Sequence, residues 1–279
     1  MPFIDFDPQS FVVPHWPIMG LAFALAVILL LPRSNVRGFE IARELAIVVP
    51  GYLLYTTVRG LVQGRESEAF ARAADIIKLE RGIHIFWETH LQEYILSDWL
   101  LAQLANSAYA WLHWPAIITV AVWLFFRHRD VYPMYRNAFL ISGAIALVCY
   151  ATLPTAPPRF MAPWGFVDTV AVTSSTYEYF QPPAFVNQYA ALPSLHFGWN
   201  VLMGIAIVCY ARGPFRVLGV LLPTAMLLSI VSTGNHFFLD AIAGGMVALM
   251  GLWGAYLIRS YVRPAPPGTF RDRLRPIAA

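Results

Sequence analysis

The chain has 279 residues, of which 58% are hydrophobic and only 13% charged, with a formal net charge of +3. A soluble globule carries about 25% charged residues, so a soluble domain is excluded, and so small a basic excess is too little to suggest a nucleic-acid binder. The two cysteines, Cys149 and Cys209, lie inside apolar runs, which excludes a disulfide framework and leaves an all-α, polytopic membrane helix bundle.

In chain order, charge-free apolar stretches run over 8–32, 99–126, 137–158, 217–239 and 241–258, and a further one ends the stretch 179–211 from Leu195 onward. Each holds roughly 17 or more mostly apolar residues, enough at about 1.5 Å per residue to approach or exceed a hydrocarbon core ~30 Å thick. Residues 41–61 make a shorter candidate, with Arg43, Glu44 and Arg59 near its ends, where long side chains reach the interface. Six to seven transmembrane helices follow. Between them, 62–98 shows helical spacing of apolar residues (Phe70, Ala73, Ala74 and Ile77, then Leu91, Tyr94 and Ile95), broken at Gly82. It reads as two short amphipathic helices at the membrane surface. Residues 154–193, rich in proline and aromatics, read as an ordered external loop. The whole of 1–279 forms one integral membrane domain: an extra N-terminal transmembrane helix within 1–40, the main bundle over 41–260, and a tail at 261–279.

Arginines set the orientation. One side of the spans carries thirteen of the basic residues, including Arg127, Arg136, Arg212 and Arg259; the other carries six basic residues and twelve of the 16 acids. The positive-inside rule makes the first side cytoplasmic, with the N-terminus outside and the C-terminus inside.

Two histidines stand where spans begin on the external side: Pro193-Ser194-Leu195-His196 and Asn235-His236-Phe237-Phe238-Leu239-Asp240. Between them the chain crosses the membrane and returns, so both belong at the same face of neighbouring helices. Asp240 lies one turn from His236, on the same helix face. It is placed to accept a ring N–H, fix the tautomer and raise the nucleophilicity of the other nitrogen. An aspartate at a bilayer edge is costly unless paired, which makes Asp240 a functional candidate. Pro193 and Ser194 mark a helix N-terminus suited to an anionic phosphate, and His196 on that first turn is the natural proton donor to a leaving oxygen.

AALPSLHFGW followed by TGNHFFLDAIAGG, with PTAPPR ahead of them, resembles the paired signatures of the type-2 phosphatidic acid phosphatase superfamily, which also contains vanadium haloperoxidases. The likeness covers 152–245 and is nearer to the inositol phosphorylceramide and sphingomyelin synthase branch than to ordinary lipid phosphatases. It implies His236 as nucleophile, Asp240 as its partner and His196 as general acid, a phosphohistidine intermediate, and no metal or organic cofactor. It further implies a membrane lipid as substrate, with a polyol or lipid alcohol as acceptor. The chain departs from the phosphatase pattern in two places. Arg159 is followed by Phe160, with Thr152 where the first motif has lysine, and Ile230 stands where the third motif has arginine. A phosphoryl transition state still needs cations. On the external side Arg159 comes first, then Arg81, Lys78 and Arg59.

Other groups have plainer readings. Asn106, Tyr109 and His113 share one helix face, as interhelical hydrogen-bonding groups do, with substrate contact as the alternative. Trp16, Trp87, Trp99 and Trp164 suit an interfacial belt. The Gly244-Gly245 pair suits close helix packing. His15, His84, His90 and His128 lack the spacing of a zinc site. The reading is a membrane phosphotransferase, with a lipid phosphate phosphatase as the alternative. A non-catalytic transporter or scaffold would lose one of the three catalytic groups, and none is lost.

Overall fold

The computed structural model describes residues 37–61, 65–169 and 187–262. The expected span at 8–32, the tail beyond 262 and the middle of the external loop lie outside the described residues. Nine α-helices are found among those described: α1 (Arg37–Leu61), α2 (Glu66–Gly82), α3 (Glu88–Leu96), α4 (Trp99–Trp111), α5 (Trp114–Arg127), α6 (Tyr132–Thr152), α7 (Leu195–Tyr210), α8 (Leu218–Ser232) and α9 (Phe238–Val262). There are no strands among the described residues, only one parallel bridge between Thr155 and Ala190. The protein is an all-helical integral membrane protein. Helices α1, α6, α8 (with the turn before it) and α9 are long and apolar enough to cross a membrane.

Three expected spans differ from the sequence reading, and the run from Leu195 gives a helix of only 16 residues, α7, shorter than the four long spans. The stretch 99–126 is two helices meeting at 43°. Pro115 has no N–H to give to the preceding turn, so the helix stops at Trp111 and restarts at Trp114, leaving His113 at the corner with φ −94° and ψ −94°. The span expected at 137–158 begins earlier, at Tyr132, and ends at Thr152, ahead of Pro154. Arg136 is tolerated within it because Glu44 of α1 meets its guanidinium at 2.6 Å, both side chains being mostly buried. The surface pair α2 and α3 forms as expected, separated after Gly82. Trp87 and Trp99 stay exposed at this end of the molecule.

Helix α9 packs along α6 and α7, and α8 along α7 and α4. Two glycines set how closely α7 and α9 approach. A Cβ on Gly198 would lie 2.3 Å from the Gly244 carbonyl oxygen, and one on Gly244 would lie 2.0 Å from that of Ser194. Small residues are what let membrane helices come into backbone contact. An interhelical hydrogen bond from Trp199 Nε1 to Ser142 Oγ, at 3.1 Å, ties α7 to α6; such bonds are worth about 0.6 kcal/mol on average. The helix directions place the N-termini of α7 and α9 at one end of the bundle. The Arg129–Glu40, Arg136–Glu44 and Arg259–Asp130 pairs gather at the other.

Candidate active site

Three connecting segments meet at the end of the bundle where α7 and α9 begin. The segment after α6 is held to the segment before α7: Thr155 N–H donates to Tyr189 O at 2.7 Å, and Ala191 N–H to Thr155 O at 3.2 Å. Ala156 N–H reaches Ala69 O on α2, and Arg159 N–H donates to Gly234 O at 2.7 Å. Gly234 has φ +68°, a left-handed conformation that glycine adopts without strain, and this turn ends α8 and delivers His236. Gln92 of α3 braces the same region, accepting from Val167 N at 2.8 Å and donating to Val167 O at 2.9 Å.

Ser194 caps α7 by accepting from Phe197 N at 3.4 Å, and its own N–H donates to Asp240 O at 2.9 Å. Tyr150 Oη donates to Pro193 O at 2.9 Å. The turn carrying His196 is thus clamped to both α6 and α9. His196 lies within 4.6 Å of Tyr109 and 4.2 Å of His113 between ring centroids, and 5.6 Å from His236.

His236 is buried, and Asp240 beneath it is 0% exposed. The expectation was that Asp240 would take the ring N–H. In the structure the nearer partner of Nδ1 is Ala191 O at 3.0 Å, with Asp240 Oδ2 at 3.5 Å. A carbonyl only accepts, so Nδ1 carries a proton, and in the neutral ring the lone pair is then on Nε2. Asp240 supplies negative charge to the ring while Oδ2 also accepts from Phe237 N at 3.0 Å.

His236 and His196 line one cavity with Arg59, Arg159, Asn235, Tyr55, Tyr109, His113 and Trp199 among others. Its volume of about 90 Å³ is several times the ~10–15 Å³ that one water needs. Arg159 donates a short hydrogen bond to Asn235 Oδ1 and has Asp168 at 4.0 Å, so its guanidinium is held beside His236. Arg59 enters from α1, with its Cζ 6.0 Å from the centre of the Tyr150 ring.

The remaining expected phosphate contacts sit elsewhere. Arg81 lies over the rings of Phe86 and Trp164 at 4.7 and 4.9 Å, and Lys78 pairs with Asp75 at 2.9 Å on the exposed face of α2. Neither lines the cavity, because the buried face of α2 carries Ala69, Ala73, Ile76 and Ile77 and leaves Lys78 and Arg81 off it. Ser194 is fully buried and serves as the helix cap, while its neighbours Leu195 and His196 face the cavity. Ile230 packs against Tyr109, Met226 and Ala241. Arg59, ranked last by sequence, is the second cavity arginine. The signal was its spacing of four from Tyr55, which puts both on one face of α1. Tyr109 and His113 are cavity residues, whereas Asn106 is buried outside the lining. Among the described residues, no group of three or more His, Cys, Asp or Glu could hold a metal ion.

A family model described as the PAP2 superfamily matches residues 74–254. It takes in both histidine motifs and Arg159 and begins after Arg59. No curated protein and no solved structure matches the chain.

Proposed function

The chain belongs to the PAP2 superfamily, and from that membership we propose that it works as a membrane lipid phosphotransferase with a His236–Asp240–His196 triad. The observation that carries this reading is the single cavity shared by His236, His196, Arg59 and Arg159. His236 Nε2 attacks phosphorus and the bond to the departing alcohol oxygen breaks as His196 donates a proton to it. A phosphohistidine remains. An acceptor alcohol then gives its proton to His196 and attacks phosphorus, the P–N bond breaks, and His236 is regenerated. Arg159 and Arg59 neutralise the non-bridging oxygens, where charge grows in the transition state. Asp240, at 3.5 Å from Nδ1, stabilises the ring when it becomes cationic.

The cation count supports a phosphodiester donor. A bare phosphoryl group has three non-bridging oxygens to neutralise, whereas a diester-derived intermediate carries less charge. The usual arginine is replaced by Ile230, buried in an apolar cluster, and two arginines remain. The acceptor is then an alcohol, polyol or lipid, as in the inositolphosphotransferase-like branch. On the positive-inside count the site faces the extracytoplasmic side, with the N-terminus outside and the C-terminus in the cytoplasm. A lipid phosphate phosphatase is the second reading, favoured by a cavity that has room for water.

The test is product analysis with purified protein, phosphatidylinositol and phosphatidic acid as rival donors, and ceramide or another lipid alcohol as acceptor. Transfer of a headgroup phosphate to the alcohol is expected. Fast phosphate release from phosphatidic acid with no transfer to any alcohol would leave the phosphatase.

A further inference from the structure

The first N–H groups of a helix have no partner within it. At the start of α9 three successive ones are taken by carboxylates. Phe237 N–H donates to Asp240 Oδ2 at 3.0 Å, Phe238 N–H to Glu88 Oε1 at 3.1 Å, and Leu239 N–H to Glu80 Oε1 at 2.8 Å. Asp240 belongs to α9, but Glu80 and Glu88 come from the last turn of α2 and the first turn of α3. Both glutamates are 0% exposed.

Their second oxygens complete the picture. Glu80 Oε2 and Glu88 Oε2 are buried and meet no hydrogen-bond partner among the described residues. The two carboxyls converge on the N–H groups of adjacent residues, Phe238 and Leu239. Two ionised carboxylates can only accept, so as a pair of anions they would leave both second oxygens without a donor, a cost that one shared proton removes. Burial, followed by the contact with Glu88 and the charges of Glu88 and Asp240, pushes the Glu80 carboxyl up to about 9, with the Leu239 N–H pulling the other way.

Among the described residues, the groups that act on Glu80 include no cation. Helix α3 presents Glu88 and α9 presents Asp240, both acidic. The 156–166 segment packs against α2 with the apolar Ala156, Met161 and Phe166. On α2 itself Lys78 is paired with Asp75, and Arg81 lies over Phe86 and Trp164.

We propose that Glu80 and Glu88 are positioning residues: a carboxyl–carboxylate clamp, sharing one proton, that fixes the first turn of α9 and with it His236 and Asp240. The clamp links the surface helices to the catalytic helix through backbone N–H groups one and two residues beyond Phe237. Losing the shared proton sets two anions side by side in a buried site and drives α2 and α3 off that turn. Their part in turnover rests on the assignment of His236 as nucleophile.

The test uses the full chain in detergent as wild type, Glu80→Gln, Glu88→Gln, Glu80→Ala and His236→Ala. The readouts are turnover against pH and hydrogen exchange of the peptide covering 235–245, each rate divided by the intrinsic base-catalysed rate at that pH so that only opening of the turn is read. In wild type, exchange at this peptide rises and kcat falls as pH passes through about 9, with KM little moved. Glu80→Ala raises exchange there at neutral pH and lowers kcat by on the order of 100-fold, the cost of a ~1 Å misplacement. Glu80→Gln keeps an oxygen for Leu239 N–H and an NH₂ for Glu88 without a titrating proton. It restores most of what the alanine variant loses and removes the alkaline rise in exchange. His236→Ala has no turnover yet keeps the wild-type exchange profile, so the clamp can be judged even if no lipid phosphoester is turned over. Wild-type exchange in Glu80→Ala, or an unchanged alkaline rise in Glu80→Gln, would overturn the proposal. If Glu80→Ala does not fold, the glutamine variants and the wild-type pH series decide alone.

Discussion

Replacing Gly244 by alanine tests whether the α7–α9 contact sets catalytic geometry. The new Cβ would sit 2.0 Å from Ser194 O and 2.7 Å from Ser194 C. These are backbone atoms at the N-cap of α7, two residues before His196, and cannot swing aside as a side chain does. Regaining ordinary contact at 3.4 Å requires a retreat of roughly 1.4 Å. The Ser194 N–H bond to Asp240 O, now 2.9 Å, lies in the path of that movement. Overpacking of this kind costs about 1–3 kcal/mol of stability, and a displacement near 1 Å at a reacting group costs roughly 100-fold in rate. Gly245→Ala is the matched control, since its Cβ would meet only the Phe197 ring, at 3.3 Å. The assay is turnover of a lipid phosphoester together with thermal melting in detergent. We expect Gly244→Ala to lose about two orders of magnitude in kcat and to melt lower, with Gly245→Ala close to wild type. Equal effects from the two substitutions, or wild-type kcat in Gly244→Ala, would refute the argument that this contact sets the distance between the two histidines.

His236→Ala and Asp240→Ala should each nearly abolish turnover in folded protein, with the double variant little worse than either single because the residues act as a unit; kinetics on all three check this. His196→Ala should lose least with substrates whose leaving groups are acidic, read as the ratio of kcat/KM for a nitrophenyl against an alkyl phosphoester. Arg59→Ala and Arg159→Ala should each lower kcat by about 100- to 1,000-fold, the scale of losing one transition-state charge contact, while Arg81→Ala and Lys78→Ala leave it within a few-fold; the reverse order would move the phosphate site toward α2. Glu80 also links folding to pH: its carboxyl is raised from an ordinary 4.5 to about 9, so the unfolded chain releases this proton first. Stability from this group is full below about 4.5 and is lost as pH rises through about 9, and a Tm–pH series should flatten over that window in Glu80→Gln. In a background with the exposed Cys209 replaced, an impermeant thiol reagent should label Tyr94→Cys from outside and Phe215→Cys only after the inner face is opened; the opposite pattern would invert the topology.

The bundle and the meeting of His196 with His236 were legible in the sequence, since both follow from quantities that are local or additive. Apolar run length decides whether a helix can cross, and one crossing out and one back returns the chain to the same face. The i, i+4 spacing of His236 and Asp240 and the two surface helices are equally local, being set by helical period. Which side of a helix looks inward is not local. Arg59 and Arg81 are both arginines near a helix end on the same side of the membrane, yet packing turns one into the cavity and lays the other on Phe86 and Trp164. Backbone partners leave no mark in sequence at all: Ala191 O holds the His236 ring because the bridge at Thr155 and Ala190 aims that carbonyl, and any residue there supplies the same oxygen. The glutamates were invisible for a related reason. Glu80 and Glu88 stand in amphipathic helices where a solvated carboxylate is the ordinary expectation. Only the fold of α2 and α3 against the first turn of α9 buries them on unpaired N–H groups.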